Sequence, residues 1–383
     1  MRSFFIKMLI LVPMLVGLPL LGLTCAGIDL RPYLHVPPLT AEAQHAPFSW
    51  IGVAIVAGLA LAVVGPFIRR VLRAWPGTVP EAPRGAFPWW GRFALGAGML
   101  VWILAWTRFS WFAPWQLHTF TPLWLAYIAV VNALTYRRTG RCMMCHRPMF
   151  FLTLFPLSAM FWWFFEYLNR FVQNWYYVGA VNQMSSLEYI LFATLPFATV
   201  LPAVLGTQEL LQSFPLYSRA FESVPARPVR RPRVVGGVLL ALSAAGLAGI
   251  GRVPDLLFPL LWVSPLFILV GLQACLGEKS LLDDAAGARW TRIATAAVAA
   301  LVCGFFWEMW NVASLAKWKY AIPYVHAAPV FEMPILGYLG YLPFGLECLV
   351  IGDLARGILE RTGERAEEAA ALEPALRAGM NPF

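Results

Sequence analysis

The sequence predicts an all-α polytopic membrane protein of about ten transmembrane helices, eight of them forming two parallel four-helix repeats. Three observations carry this. Charged residues make up 13% of the chain and hydrophobic residues 60%, against roughly 25% charged in soluble domains. Ten apolar stretches come close to or reach the ~20 residues that span a bilayer. An acid-aromatic signature recurs at a spacing of 142 residues.

The spans are read at 8–28, 50–68, 90–107, 118–136, 148–168, 187–208, 235–251, 255–276, 293–312 and 333–354. The first follows Arg2 and Lys7, is interrupted by Pro13 and Pro19, and ends near Thr24-Cys25-Ala26-Gly27. It has the outline of a cleaved signal peptide and the length of a span, and we read a retained helix. With the second span it forms an N-terminal unit, 1–86, that ends in a cytoplasmic linker. Spans three to six make the first repeat, 87–211. Residues 212–234 are an Arg/Pro-rich linker containing Pro225-Ala226-Arg227-Pro228-Val229-Arg230-Arg231-Pro232-Arg233, with anionic-lipid binding as a secondary reading. Spans seven to ten make the second repeat, 235–355. The tail, 356–383, alternates acids with Arg and Ala, as in Glu364-Arg365-Ala366-Glu367-Glu368, and reads as a solvated or frayed helix without chemistry.

The repeat extends beyond the signature. Thr121-Pro122-Leu123-Trp124 opens the fourth span and Phe258-Pro259-Leu260-Leu261-Trp262 the eighth, with 138 residues from Trp124 to Trp262. Four crossings return the chain to the same side, so the units are related by an axis along the membrane normal. Their interface is the natural place for a cavity.

The net charge of +9 does not point to nucleic acid, because the charge sits in alternate loops. Placing both termini inside puts 23 of the 29 Lys and Arg residues inside and 6 outside, as the positive-inside rule requires. The chain reads as a multi-pass protein of a bacterial-type inner (plasma) membrane. Its six cysteines are too scattered for a disulfide framework.

One copy of the signature reads Phe161-Trp162-Trp163-Phe164-Phe165-Glu166-Tyr167-Leu168-Asn169, followed by Asn174-Trp175-Tyr176-Tyr177. The other reads Phe305-Phe306-Trp307-Glu308-Met309-Trp310-Asn311, followed by Lys317-Trp318-Lys319-Tyr320. A carboxylate in lipid costs roughly 2.5 kcal/mol or more, so acids there point to function. Glu166 with Asn169, and Glu308 with Asn311, share a helix face. The amide is expected to orient the acid. Apolar burial favours the protonated form of a carboxyl, which can then act as a general acid. Trp163, Trp175, Tyr177, Trp307, Trp318 and Tyr320 are expected to line the cavity, where their π-faces can stabilise a cation. Glu188 and Glu332 open the last helix of each repeat and are expected to approach Glu166 and Glu308 as second acids. Pro196 and Pro343 are expected to kink those helices. Glu347 lies deeper in the tenth span and has no counterpart in the sixth. The structural reading stands beside this. Aromatics gather at membrane interfaces, Glu with Asn can clamp two helices, and Glu188 and Glu332 can cap them. Lys317 and Lys319 mark divergence between the copies and can pair with Glu308 or Glu332.

An acid, then Trp-x-Tyr, then a short loop into Leu187-Glu188-Tyr189-Ile190-Leu191-Phe192 and a proline-bearing helix resembles the repeated unit of the integral-membrane lycopene cyclases. The matching stretches are Glu166 to Pro196 and, more loosely, Glu308 to Pro343, about 65 of 383 residues. The paired acids of that family, Pro-x-Glu-Glu, are replaced here by Ser186-Leu187-Glu188-Tyr189 and Val330-Phe331-Glu332-Met333. The resemblance implies tandem helices and a cofactor-independent protonation and ring closure of a polyene end group.

Cys142-Met143-Met144-Cys145-His146 matches the c-type haem attachment pattern. It falls in a loop placed inside, whereas haem is attached outside, and we read it as structural. No metal and no cofactor are expected. His35, His45, His118 and His326 read as structural, with His326 close enough in sequence to join Glu332. The leading expectation is a membrane enzyme that moves protons on an apolar, isoprenoid-like substrate. A proton-linked transporter using the same acids and a structural membrane module are the alternatives. An apolar small molecule or a membrane lipid is the expected partner.

Overall fold

The computed structural model describes residues 2–77, 85–179 and 184–379. Arg84, and the side chains of Arg2 and of the tail beyond Arg361, lie outside the described residues. The helices are α1 (Arg2–Val12), α2 (Leu18–Cys25), α3 (Trp50–Ala74), α4 (Trp89–Trp106), α5 (Phe120–Thr139), α6 (Met143–His146), α7 (Pro148–Val172), α8 (Ser186–Phe197) and α9 (Val200–Gln212). They continue with α10 (Pro215–Phe221), α11 (Pro232–Gly249), α12 (Pro254–Leu257), α13 (Pro259–Leu276), α14 (Leu281–Ala286), α15 (Trp290–Asn311) and α16 (Tyr341–Gly379). The chain is an all-α polytopic membrane protein.

Each of the ten expected segments is helical. Among the described residues, eight helical segments are long and apolar enough to cross a membrane, and nine if α4 is joined to the 3-10 helix Ser110–His118, which bends away from it by 109°. Of the ten segments, α4 qualifies only with its bent partner, and α5 does not qualify. It is a 20-residue helix, but Trp124, Tyr127, Asn132 and Arg137 lower its apolarity. It turns Trp124, Ile128, Val131 and Asn132 into the protein, so it needs less lipid-facing surface.

The repeat is visible in the packing. In the first unit α4 packs on α5, α5 on α9, and α7 on α8 and α9; in the second, α11 packs on α13, α13 on α16 and α15 on α16. The units meet where α15 and α16 lie on α9, and where α13 and α16 lie on α7. The equivalent tryptophans cross over. Trp124 packs tilted against Trp307 with ring centroids 4.9 Å apart, and Trp262 against Phe165 at 5.5 Å. Phe344, fully buried, sits at the centre against Phe161, Trp162, Phe165, Trp262 and Trp307.

Two short sheets cap the end of the bundle that is poor in arginine. β1 (Trp175–Gly179) pairs antiparallel with β2 (Ala316–Tyr320), Trp175 facing Tyr320 and Tyr177 facing Trp318. Exchanging the equivalent residues of the two copies maps this register onto itself about the Tyr176–Lys319 pair. The strands therefore obey the same pseudo-twofold symmetry as the helices. β3 (Pro329–Val330) and β4 (Met333–Pro334) form a small hairpin. Aromatic residues suit a pleated surface, and strands that follow a helix end need partners for their backbone groups. Each strand finds them in the other repeat.

The two prolines act differently. Pro196 lies in the last turn of α8, and the sixth span breaks between α8 and α9. Pro343 sits in the first turn of α16, where its missing N–H would be unpaired anyway, so it produces no kink. The first segment docks into the bundle. Leu15 and Leu23 are buried, Lys7 pairs with Glu278 at 2.5 Å, and the Tyr167 hydroxyl donates to the Val16 carbonyl at 2.6 Å. Part of the inter-repeat linker is also docked, with Ala220 and Phe221 of α10 buried.

Candidate functional site

Glu166 and Glu308 are both buried, at the arginine-poor ends of α7 and α15. Glu166 Oε1 accepts from Trp162 Nε1 at 3.1 Å, Trp175 Nε1 at 3.2 Å and the Tyr177 hydroxyl at 2.6 Å. Glu308 Oε1 accepts from the Tyr320 and Tyr341 hydroxyls, each at 2.7 Å. Trp318 Nε1 donates to the Tyr320 oxygen at 2.9 Å, extending the chain. Among the described residues Glu308 Oε2 is buried without a hydrogen-bond partner.

Asn169 and Asn311 do not orient the acids directly. The Asn169 amide donates to the Trp175 carbonyl at 2.8 Å, and its oxygen accepts from the backbone of Asn174 at 2.8 Å and of Trp175 at 3.3 Å. The Asn311 amide donates to the Trp318 carbonyl at 2.8 Å and accepts from its N–H at 2.9 Å. Each asparagine ties the start of a strand to the end of a helix. The consequence reaches the acid only through the tryptophan and tyrosine that the strand carries. An i, i+3 pair shares a helix face, but a free strand backbone offers the amide better-placed partners than a side chain one turn away.

These strands, with α7, α8, α13 and α15, enclose an aromatic cavity of about 100 Å³ between the repeats. Trp175, Tyr177, Trp307, Trp318 and Tyr320 line it. Trp163 does not. It donates to the Thr194 hydroxyl at 3.0 Å and packs on Tyr189 and Phe197, while its neighbour Trp162, one helical step of about 100° away, faces the cavity. Tyr341, Tyr189, Trp262 and Phe120 complete the wall. The carboxyls are not part of the lining; they are reached from it through Tyr177, Tyr320 and Tyr341, which line the cavity and donate to them. Burial first, with the adjacent Glu166 and Tyr189, pushes the Tyr177 hydroxyl well above its usual range; burial and Glu308 do the same to Tyr320. Both stay protonated and keep donating.

Tyr341 was invisible to the repeat because it compensates for a loss. The residue equivalent to Trp162 is Gly304, 142 positions on. A Cβ at Gly304 would come within 2.4 Å of the Tyr341 ring. The space vacated by an indole is thus filled from α16 by a phenol, which supplies the missing donor to Glu308.

The second acids take structural places. Glu188 is exposed and closes a capping box on α8, accepting from Ser185 N at 2.8 Å and from its hydroxyl at 2.7 Å. Ser185-x-x-Glu188 is the sequence pattern of that cap. Glu332 lies at the β3–β4 turn and pairs with Lys317 of β2. Glu347 is fully buried and accepts from Leu266 N at 3.1 Å, next to Pro265 within α13. His326 is exposed. His45 pairs with Asp255 at 2.6 Å, and Asp255 also accepts from Ala46 N at 2.9 Å. With Thr40 beside Tyr177 N at 3.4 Å and Arg170 donating to the Tyr33 carbonyl, the segment before α3 is held over the strands.

The Cys142–His146 motif forms α6, pinned by main-chain donation from Met143 to Glu209 at 2.9 Å and from Met144 to Asn132 at 3.0 Å. Burial pushes the Cys142 thiol up to about 12. Among the described residues no group of three or more His, Cys, Asp or Glu is placed to hold a metal ion. A second, polar cavity of about 150 Å³ lies between the repeats at the arginine-rich end, lined by Arg147, Gln208, Glu209, Arg292, Asp353 and Arg356 among others. Comparison of the chain with protein-family models, with curated proteins and with solved structures yields no match.

Proposed function

We propose that the chain is an integral-membrane enzyme that acts on an apolar, isoprenoid-like substrate by carboxyl-mediated proton transfer. The observation that carries the reading is the pairing of two buried carboxyls, one from each repeat, behind tyrosine hydroxyls that line one aromatic cavity. An alkene held there can take a proton relayed through a tyrosine from one carboxyl. The resulting cation is sheltered by indole and phenol faces, and loss of a proton to the second carboxylate restores the balance. The net change is an isomerisation, with no electrons gained or lost. This agrees with what the lycopene-cyclase resemblance implies. Glu308, whose bonded oxygen holds two donors, suits the moving proton better than Glu166, whose bonded oxygen holds three.

Two measurements test this. An ultraviolet-visible spectrum of protein purified in mild detergent is expected to show the multi-band absorption of a bound polyene. Incubation with a linear polyene is expected to yield an isomer, and Glu308→Gln to abolish the conversion while leaving the fold intact. Conversion unaffected by Glu308→Gln together with Glu166→Gln would refute the reading.

A proton-linked transporter is the second reading. It draws on the polar cavity at the opposite end of the same inter-repeat interface and on the buried Glu347. Uptake into vesicles that collapses with the proton gradient, without chemical change of the solute, would favour it.

A further inference from the structure

Helix α3 is anomalous in the bundle. It has 25 residues, enough to cross a bilayer, yet none of them is buried. It is held at its two ends. At the arginine-poor end Ser49 N donates to the Tyr324 carbonyl at 2.8 Å. At the other, Phe67 packs on Phe221 at 5.7 Å and on Trp290 at 5.6 Å. Between them Ile55, Leu59 and Val63 are exposed. In a membrane that surface is covered by acyl chains.

At the arginine-rich end, α3 and α10 flank a cleft of about 540 Å³ lined by Arg69, Arg70, Arg73, Arg219 and Ser223, with no carboxylate among the described residues of its wall. Arg70 Nη1 reaches the Ser223 hydroxyl at 3.4 Å. Among the described residues no acid pairs with any of the four arginines. Three other arginines at this end are matched by acids, while Arg137, Arg141, Arg230 and Arg231, like the four of the cleft, have no acid partner among the described residues but do not line it. Arg147 pairs with Glu209, Arg289 with Asp284, and Arg292 with Asp284 and Asp353. Four guanidinium groups without an acid partner among the described residues, beside the exposed apolar surface of α3, are complementary to a phosphate diester.

We propose that this cleft binds the phosphate headgroup of an anionic phospholipid whose acyl chains lie along α3, filling the space between that helix and the repeats. The inference is independent of what the aromatic cavity binds. It assigns the Arg-rich inter-repeat linker, which supplies Arg219, a role in holding lipid.

The test is native mass spectrometry of the full chain in mild detergent, titrated with phosphatidylglycerol, phosphatidylcholine or inorganic phosphate. Phosphatidylglycerol is expected to be retained at least about tenfold more strongly than phosphatidylcholine, since each arginine near a lipid surface contributes on the order of a fivefold effect. Arg69→Gln, Arg70→Gln, Arg73→Gln and Arg219→Gln combined are expected to erase that preference. A charge-matched control with Arg137, Arg141, Arg230 and Arg231 changed to Gln is expected to keep it. Equal retention of the two lipids by the wild type overturns the proposal even if the cleft variant fails to fold. So does equal loss in the cleft and control variants. Displacement of the lipid by millimolar inorganic phosphate assigns the cleft to a free anion and overturns the lipid as occupant.

Discussion

Replacing Glu166 by Leu and by Gln separates the acceptor it provides from the acid it carries. Three donors converge on Oε1, from Trp162, Trp175 and Tyr177. Leu leaves all three without a partner; Gln keeps a carbonyl oxygen in the same place. Both remove the ionisable group, so the cost of burying a charge cancels in the comparison. At the ~0.6 kcal/mol average for hydrogen bonds inside a membrane protein, the three bonds together amount to about 2 kcal/mol. At the ~1–3 kcal/mol of each buried unsatisfied donor they amount to 3 kcal/mol or more. Glu166→Leu is therefore expected to be less stable than Glu166→Gln by at least about 2 kcal/mol. Tryptophan fluorescence during thermal or denaturant unfolding in detergent reads the difference, because two of the three donors are indoles. A Leu variant as stable as the Gln variant would show that the donors find other partners, and the convergence on Glu166 would lose its energetic meaning.

Gly304→Ala drives a methyl group into the Tyr341 ring and is expected to cost about 1–3 kcal/mol and to weaken the Tyr341 bond to Glu308; a wild-type melting midpoint would contradict the compensation argument. Gly345→Ala places a Cβ 2.2 Å from the Ala296 carbonyl oxygen, where α15 and α16 touch through backbone, and is expected to lower the melting midpoint more than Gly58→Ala, whose Cβ meets nothing within 4 Å. In detergent a maleimide is expected to label exposed Cys145 and not Cys142, whose thiol burial pushes up to about 12; in sealed vesicles, a membrane-impermeant reagent is expected to reach Cys25 and Cys145 from opposite sides, and labelling of both from one side would refute the topology. Tyr177 and Tyr320 have folded pKa values raised above the ordinary 10.0, so each contributes stability that is complete below pH 10 and is lost as the pH rises beyond it; an alkaline titration of stability in Tyr177→Phe is expected to fall less steeply there than in the wild type.

Much of the architecture was legible because a bilayer imposes it. Apolar runs of span length, arginines in alternate loops and a repeated Glu-x-x-Asn locate ten helical segments and the two copies of the site. Trp175, Tyr177, Trp318 and Tyr320 could be read from the spacing after each acid, since a short strand leaving a helix end keeps its alternate side chains on one face. Trp163 could not be told from Trp162, because adjacent positions on a helix differ by about 100° in direction and both flank the same acid. Glu188 carried its correct meaning in Ser185-x-x-Glu188, a local cap that needs no distant partner.

The sequence by itself determined that this is a duplicated, helical membrane protein with a Glu-x-x-Asn pair in each copy. Those features follow from local composition and period. Only the tertiary structure decided that the asparagines hold strands, that tyrosines stand between the carboxyls and the cavity, that Tyr341 replaces a lost indole, and that α3 stands away from the bundle over an arginine cleft. The asparagine contacts span only five to seven residues but need the strand geometry, and the others depend on packing between elements. A repeat pattern gives the spacing of residues along the chain and not the side-chain directions and helix packing that settle these contacts.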